Sequence, residues 1–271
     1  MPFKRTVLLA IAITLAFSGQ RVPARADEPK PTIVLVHGAW ADGSSWDGVV
    51  RRLLYCGYTV DVPPNGLRGV ASDSASIADF LSTISGPIVL VGHSYGGTII
   101  TNAALGNPEV KALVYIDAFI PAQHETIGGE IGAMPGSIFA SALTNPASVF
   151  TLRPFPGSPQ GVVDAYILPS LFVIGFAAGL PRDVSATLAT TQRPLATSAV
   201  GEPSGPPAWK TIPSWDLIGT EDNAIPPAEQ EFMAARAHST VEKIAAHHLS
   251  LISNPDAVSA LIITAARSVS K

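Results

Sequence analysis

One short segment sets a nucleophile between the neighbours it needs. In Gly92-His93-Ser94-Tyr95-Gly96, a serine follows the apolar run Ile88–Val91 and precedes the helical pattern Thr98–Leu105. A serine on a tight strand-to-helix turn is held in a strained backbone, so the residues two positions away must be small. Gly92 and Gly96 occupy those positions. Such a turn lifts the hydroxyl out of the sheet and aims the next helix's N-terminus at the reacting centre, where it favours a developing anion. Gly-x-Ser-x-Gly is weak alone, because both residue types are common. The strand before it and the helix after it give it weight.

A serine hydroxyl is a poor nucleophile until a base takes its proton. Where such a turn carries the nucleophile, the chain order is serine, acid, histidine. Downstream lie His238, His247 and His248. His238 closes a helical pattern and reads as a surface residue. His247 and His248 follow the last apolar strand, and only one of two adjacent residues can face Ser94. We favour His248, in part on a resemblance described below, with His247 a solvated or supporting neighbour. The acid must hold the histidine's tautomer and stabilise the imidazolium. Asp222, after the strand Trp215–Gly219, is the choice, with Glu221 a solvated neighbour. Asp117, at the end of the strand Ala112–Ile116, is the rival; its other reading is a turn or capping role. The developing oxyanion needs two backbone donors, and Tyr95 and Ala39 are the expected pair, the latter from His37-Gly38-Ala39-Trp40. His37 reads as a structural residue shaping that loop.

The elements that must position these residues alternate. Thr32–Val36, Tyr58–Asp61, Ile88–Val91, Ala112–Ile116, Trp215–Gly219 and Val241–Ala245 read as strands. Between them, Trp46, Val49, Val50, Leu53 and Leu54 share one helical face that Gly57 can end, and Ile77, Phe80, Leu81 and Ile84 share another. A helix around Ala228–Ala237 follows, then a final one with Asn254 at its cap and Pro255 at its first position. This is an α/β fold, a mainly parallel sheet with helices on both faces. The rhythm breaks from 121 to 207, a Gly-, Pro-, Ser- and Thr-rich stretch too long for a plain loop and expected to be an inserted cap or lid. The core is then 27–120 and 208–271.

The first 26 residues read as a signal peptide. Lys4 and Arg5 precede the apolar run Val7–Phe17, too short to span a bilayer, and Ala24-Arg25-Ala26 provides a small-x-small site with cleavage after Ala26. The expected mature protein is secreted or periplasmic, with no membrane span. Losing Lys4, Arg5, Arg21 and Arg25 reduces 17 basic side chains to 13 against 21 acidic, a formal net of −8. Such a surface repels phosphate backbones and argues against nucleic acid as a partner. Cys56 is the single cysteine, which excludes an internal disulfide and a cysteine metal cluster. No metal or organic cofactor is implied.

These motifs resemble the plant methylesterase and hydroxynitrile-lyase branch of the α/β-hydrolase superfamily. They are more similar still to its bacterial relatives, carboxylesterases that include pyrethroid-type hydrolases. The matching segments are Val34-Leu35-Val36-His37-Gly38-Ala39-Trp40, Gly92-His93-Ser94-Tyr95-Gly96-Gly97, Gln192-Arg193-Pro194, Gly219 through Pro227, and His248 through Ser253 with Pro255. The resemblance implies the α/β-hydrolase fold, a small-molecule ester as substrate, Ala39 as an oxyanion donor, Asp222 as the acid and His248 as the base. His247 departs from the family, where that position is usually small. Hydroxynitrile lyases of this branch carry Lys directly after the catalytic His and Thr at the oxyanion position. Leu249 and Ala39 stand there instead, which favours hydrolysis. A non-catalytic binding member of the same fold is the remaining class.

Overall fold

The computed structural model describes residues 1–3 and 30–269; the run Val7–Phe17 and the cleavage point after Ala26 lie outside them. From residue 32 the chain alternates: β1 (Thr32–Val36), α1 (Asp47–Tyr55), β2 (Val60–Asp61), α2 (Val70–Leu81), β3 (Ile88–His93), α3 (Tyr95–Ala103) and β4 (Val110–Ile116). The 121–207 segment then contains α4 (Ile127–Ala133), β5 (Phe150–Arg153), β6 (Asp164–Ile167), α5 (Pro169–Leu171), α6 (Arg182–Thr191), β7 (Leu195–Ala196) and α7 (Ser198–Gly201). β8 (Ser214–Gly219), α8 (Pro227–Arg236), β9 (Thr240–Ile244), α9 (Ser250–Ser253) and α10 (Pro255–Val269) complete it.

Six strands form one sheet in the order β2-β1-β3-β4-β8-β9, with every pairing parallel. The central strands are runs of Val, Ile and Leu because helices cover both faces, and all of β3 is buried. Parallelism puts every strand's carboxyl end on one edge, where α/β sheets bind ligands. His37-Gly38-Ala39 leaves β1 there, Ser94 leaves β3, Asp117 leaves β4, Asp222 lies beyond β8 and His248 beyond β9.

Three of the departures from sequence expectation have a readable reason. α2 starts at Val70, well ahead of the Ile77–Ile84 pattern. The Glu202 carboxylate accepts the Val70 and Ala71 amides at 2.6 and 3.1 Å, an acidic cap brought from the far end of the 121–207 segment. α3 begins at Tyr95 rather than Thr98, since the turn at Ser94 leads straight into helical backbone. β2 shortens to two residues at the sheet's edge. The end of α1 follows expectation, with Gly57 at φ +74° just after it.

Within 121–207, β5, β6 and β7 make a small antiparallel sheet. Gln192 clips α6 to β6, its side chain accepting from the Ile167 amide and donating to the Ile167 carbonyl. Arg68, ahead of α2, donates to Asp164 at 2.7 Å and to the Pro194 carbonyl at 3.1 Å. The expected apolar cluster Ile167–Leu180 coils into α5 and a π-helical turn that buries Phe172 and Phe176.

One side chain here is misplaced for stability at neutral pH. Glu130 of α4 is 4% exposed, and neither carboxyl oxygen has a hydrogen-bond partner among the described residues. Burial raises its pKa well above the usual range, helped by the charge of Glu125, while Arg236 opposes more weakly. The folded chain therefore keeps a proton that the unfolded chain has released, so stability falls as pH rises above the ordinary Glu value. Glu130→Gln stays neutral throughout. The difference in Tm, variant minus wild type, is expected to grow in the variant's favour between pH 4 and pH 8, on a scale of roughly 2–4 °C per kcal/mol. Thermal melts across that range check it; a constant difference contradicts it.

Candidate active site

Ser94 sits at φ 53°, ψ −122°, between β3 and α3. The turn is tight enough to demand glycine on both sides. A Cβ on Gly92 would lie 2.5 Å from the Gly96 carbonyl oxygen, and one on Gly96 would lie 2.4 Å from the Val36 carbonyl oxygen. The β1 loop comes equally close, since a Cβ on Gly38 would meet the Ser94 Cβ at 2.8 Å. That approach brings Ala39 and Tyr95 to the same small cavity as Ser94. Among the described residues, neither the Ala39 nor the Tyr95 amide donates to a protein acceptor. Both are free to bind an oxyanion.

From the serine a hydrogen-bonded chain runs inward. His248 Nε2 lies 2.9 Å from Ser94 Oγ, and His248 Nδ1 lies 2.8 Å from Asp222 Oδ2. All three side chains are buried. Asp222 is held at its other oxygen as well: its Oδ1 accepts the amides of Ala224 (2.7 Å) and Ile225 (3.0 Å). The Asp222-Asn223-Ala224-Ile225 turn is thus wrapped around its own carboxylate, an arrangement that short acidic side chains favour.

Three supporting residues complete the geometry. Gln230, fully buried on α8, donates from Nε2 to Asp222 Oδ2 at 2.8 Å and to the Ile225 carbonyl at 2.8 Å. His93 donates from Nε2 to the His248 carbonyl at 2.9 Å; burial, with the nearby His248, holds its pKa well below the usual value, so it serves as a neutral donor. Asp117 Oδ1 accepts the Gly219 amide at 2.8 Å, and its Oδ2 accepts from the Ser250 hydroxyl and amide. It therefore ties the end of β8 to the segment carrying His248. Burial, and then the charge of Asp222, push its pKa well up. Asp117 does not contact His248 by any hydrogen bond, which goes to Asp222.

Sequence reading missed Gln230 and gave His93 no role. The only available signal for Gln230 was an uncharged polar residue on the inner face of α8, one turn before buried Met233. Its expected contribution is measurable. Gln230→Met keeps length but removes a hydrogen bond to a charged acceptor, worth about 1.5–3 kcal/mol. If Asp222 orients the base, kcat on any accepted ester should fall roughly 10- to 100-fold at little change in KM. Steady-state kinetics check this, and an unchanged kcat contradicts it.

The remaining candidates lie apart from this chain. His247 turns outward, donating from Nδ1 to the Glu221 carbonyl at 2.7 Å, with Nε2 3.2 Å from the Glu221 carboxylate. Glu221 and His238 are exposed. His37 is buried but committed to its loop: Nδ1 donates to the Gly38 carbonyl at 2.9 Å and Nε2 accepts the Asn65 amide at 3.1 Å. Burial lowers its pKa, which keeps that tautomer neutral. Among the described residues, no group of three or more His, Cys, Asp or Glu could hold a metal ion, and no helix is long and apolar enough to cross a membrane.

The cavity at Ser94 is narrow, about 20 Å³. Apart from Ser94 its walls are apolar or aromatic, among them Phe119, Ile127, Phe139, Leu195 and Ile225. The Tyr95 hydroxyl donates to buried Asp73 at 2.8 Å and is thereby already committed. An uncharged, apolar substrate fits such walls; a free carboxylate or phosphate does not.

A six-stranded parallel sheet with a serine elbow, a buried histidine and a buried acid at its carboxyl edge defines a class. The chain belongs to the alpha/beta hydrolase family, whose profile it matches over residues 33–261. It is 36% identical over 107 residues to a carbendazim hydrolyzing esterase of Nocardioides sp., covering 35% of this chain and 44% of that protein. It is 33% identical over 102 residues to a pyrethroid hydrolase of Sphingobium wenxiniae, covering 33% and 36%. The chain thus aligns with less than half the length of these relatives. A solved pyrethroid hydrolase from Sphingobium faniae superposes with a TM-score of 0.68 at 23% identity, covering 88% of this chain and 98% of that one. That likeness shows the fold.

Proposed function

We propose that the protein is a serine carboxylesterase that hydrolyses small to medium, uncharged carboxylic esters through an acyl-enzyme on Ser94. The observation that carries this reading is the buried chain Ser94–His248–Asp222, with contacts of 2.9 and 2.8 Å, opening on an apolar cavity. In the proposed mechanism, His248 Nε2 takes the Ser94 proton as Oγ attacks the ester carbonyl carbon. The Ala39 and Tyr95 amides hold the negative oxygen of the tetrahedral intermediate. His248 then returns the proton to the departing alcohol, the C–O bond breaks, and the acyl group stays on Ser94. A water attacks that acyl group with His248 again as base, releasing the carboxylic acid and restoring the hydroxyl. Asp222 stays ionised and holds the imidazole's orientation.

The 121–207 segment acts in this reading as the cap. Ile127, Ile131 and Phe139 wall the cavity, and Phe176 lies 5.0 Å from the His248 ring, which keeps bulk water from the base. The names of the Nocardioides and Sphingobium relatives support hydrolysis. Leu249, buried beside His248, supports ester cleavage over cyanohydrin cleavage. The test is a panel of methyl, aryl and p-nitrophenyl esters of varied acyl length. Turnover of uncharged short-chain esters, with weak or no turnover of dicarboxylate monoesters, is the expected result. No turnover of any ester would remove the reading.

A further inference from the structure

Trp40 lies between two cavities and lines both. On one side is the narrow chamber, about 20 Å³, that contains Ser94. On the other is a cavity of about 30 Å³ bounded by Phe172, Phe176, Leu188, Leu249 and Ile252, with Asp42 and Ser44 also lining it. The indole is fixed in place by its neighbours. It stacks on Phe139, a chamber wall, with ring centres 4.9 Å apart, and on Phe150 at 5.5 Å. It meets Phe176, a wall of the outer cavity, edge-on at 5.7 Å. Its Nε1 donates to the Ala165 carbonyl of β6 at 2.8 Å. The backbone at Trp40 has φ +57°, a left-handed conformation that a large side chain adopts only when its surroundings impose it. A bulky side chain held there at a conformational cost is being used for its position.

Which half of the substrate it limits follows from His248. The base must reach the leaving oxygen to protonate it, so the alcohol portion extends toward the histidine. The outer cavity lies on that side: Phe176, one of its walls, is 5.0 Å from the His248 ring, and Leu249, another wall, is the next residue. We propose that Trp40 is the specificity-determining wall on the alcohol side, restricting wild-type enzyme to esters of small alcohols. Removing the indole would join the two small cavities into one apolar subsite for a flat, aromatic alcohol group. The proposal rests on the esterase reading above.

The experiment compares methyl, benzyl and 2-naphthylmethyl butyrate, which share an acyl group and differ in alcohol size. In wild type, kcat/KM should fall along the series. Trp40→Gly removes the wall and suits the positive φ. It should raise the ratio of 2-naphthylmethyl to methyl kcat/KM at least tenfold, even if absolute rates drop because Ala39 is adjacent. Refilling the outer cavity in the double variant Trp40→Gly with Leu188→Trp should reverse the gain. Trp40→Leu, a milder truncation, should shift the ratio the same way if the glycine variant fails to fold. Turnover with an unchanged ratio in these variants, or no reversal on refilling, overturns the wall while leaving the esterase intact. No turnover of any ester by wild type overturns both.

Discussion

Ser94→Ala should abolish ester turnover while leaving the fold intact. The methyl side chain fits any space the hydroxymethyl group fits, and the strained φ of 53° is set by the close packing at Gly92 and Gly96, not by the hydroxyl. What disappears is the atom that forms the acyl-enzyme. Loss of the nucleophile in a serine protease costs on the order of 10⁶ in kcat, and a fall of at least about 10⁴ is expected here. The measurement is initial rate on a short-chain p-nitrophenyl ester, with circular dichroism and a melt to confirm folding. A folded variant that retained a tenth of wild-type activity would move the nucleophile elsewhere.

The second large effect separates two adjacent histidines. His248 places one ring nitrogen on Ser94 Oγ and the other on Asp222, while His247 spends both on Glu221 at the surface. His248→Ala should therefore be nearly inactive, and His247→Ala should lose at most about tenfold, roughly 1.4 kcal/mol. Asp222→Asn should fall steeply, about 10⁴-fold, because an amide cannot hold the working tautomer. Asp117→Asn should be mild by comparison, since its hydrogen bonds join β8 to the His248 segment and do not reach the imidazole. Reversed ranking in either pair would reassign the base to His247 or the acid to Asp117.

The legible parts of the site were those encoded locally. A glycine-flanked serine between an apolar run and a helix announces itself within about ten residues. Where the last strands end narrows the acid to the Glu221–Asp222 turn, with Asp117 as rival, and the base to His247 or His248; the choice of His248 also drew on the family resemblance. What stayed hidden depends on contacts between distant segments. Glu202 starts α2 across a separation of 132 residues, and no spacing rule connects them. Gln230 holds Asp222 only because α8 turns its inner face back on the preceding loop. The small sheet of 121–207 was unreadable for a different reason. Its strands are as short as Leu195–Ala196, and the apolar cluster between β6 and β7 adopts a π-helical turn, so neither period 2 nor period 3.6 develops. Trp40 carried no signal beyond its position in the loop, because its importance lies in what stands on either side of it.

The central claim is that Ser94 becomes covalently acylated with His248 as its base. Intact-mass and peptide mapping after brief exposure to an alkyl fluorophosphonate tests it most directly, since that reagent needs an activated serine. The account predicts one adduct per chain, on the peptide carrying Ser94, formed far more slowly in His248→Ala and at nearly the wild-type rate in His247→Ala. No adduct on Ser94, or an adduct on another residue in a protein that still hydrolyses esters, would contradict it.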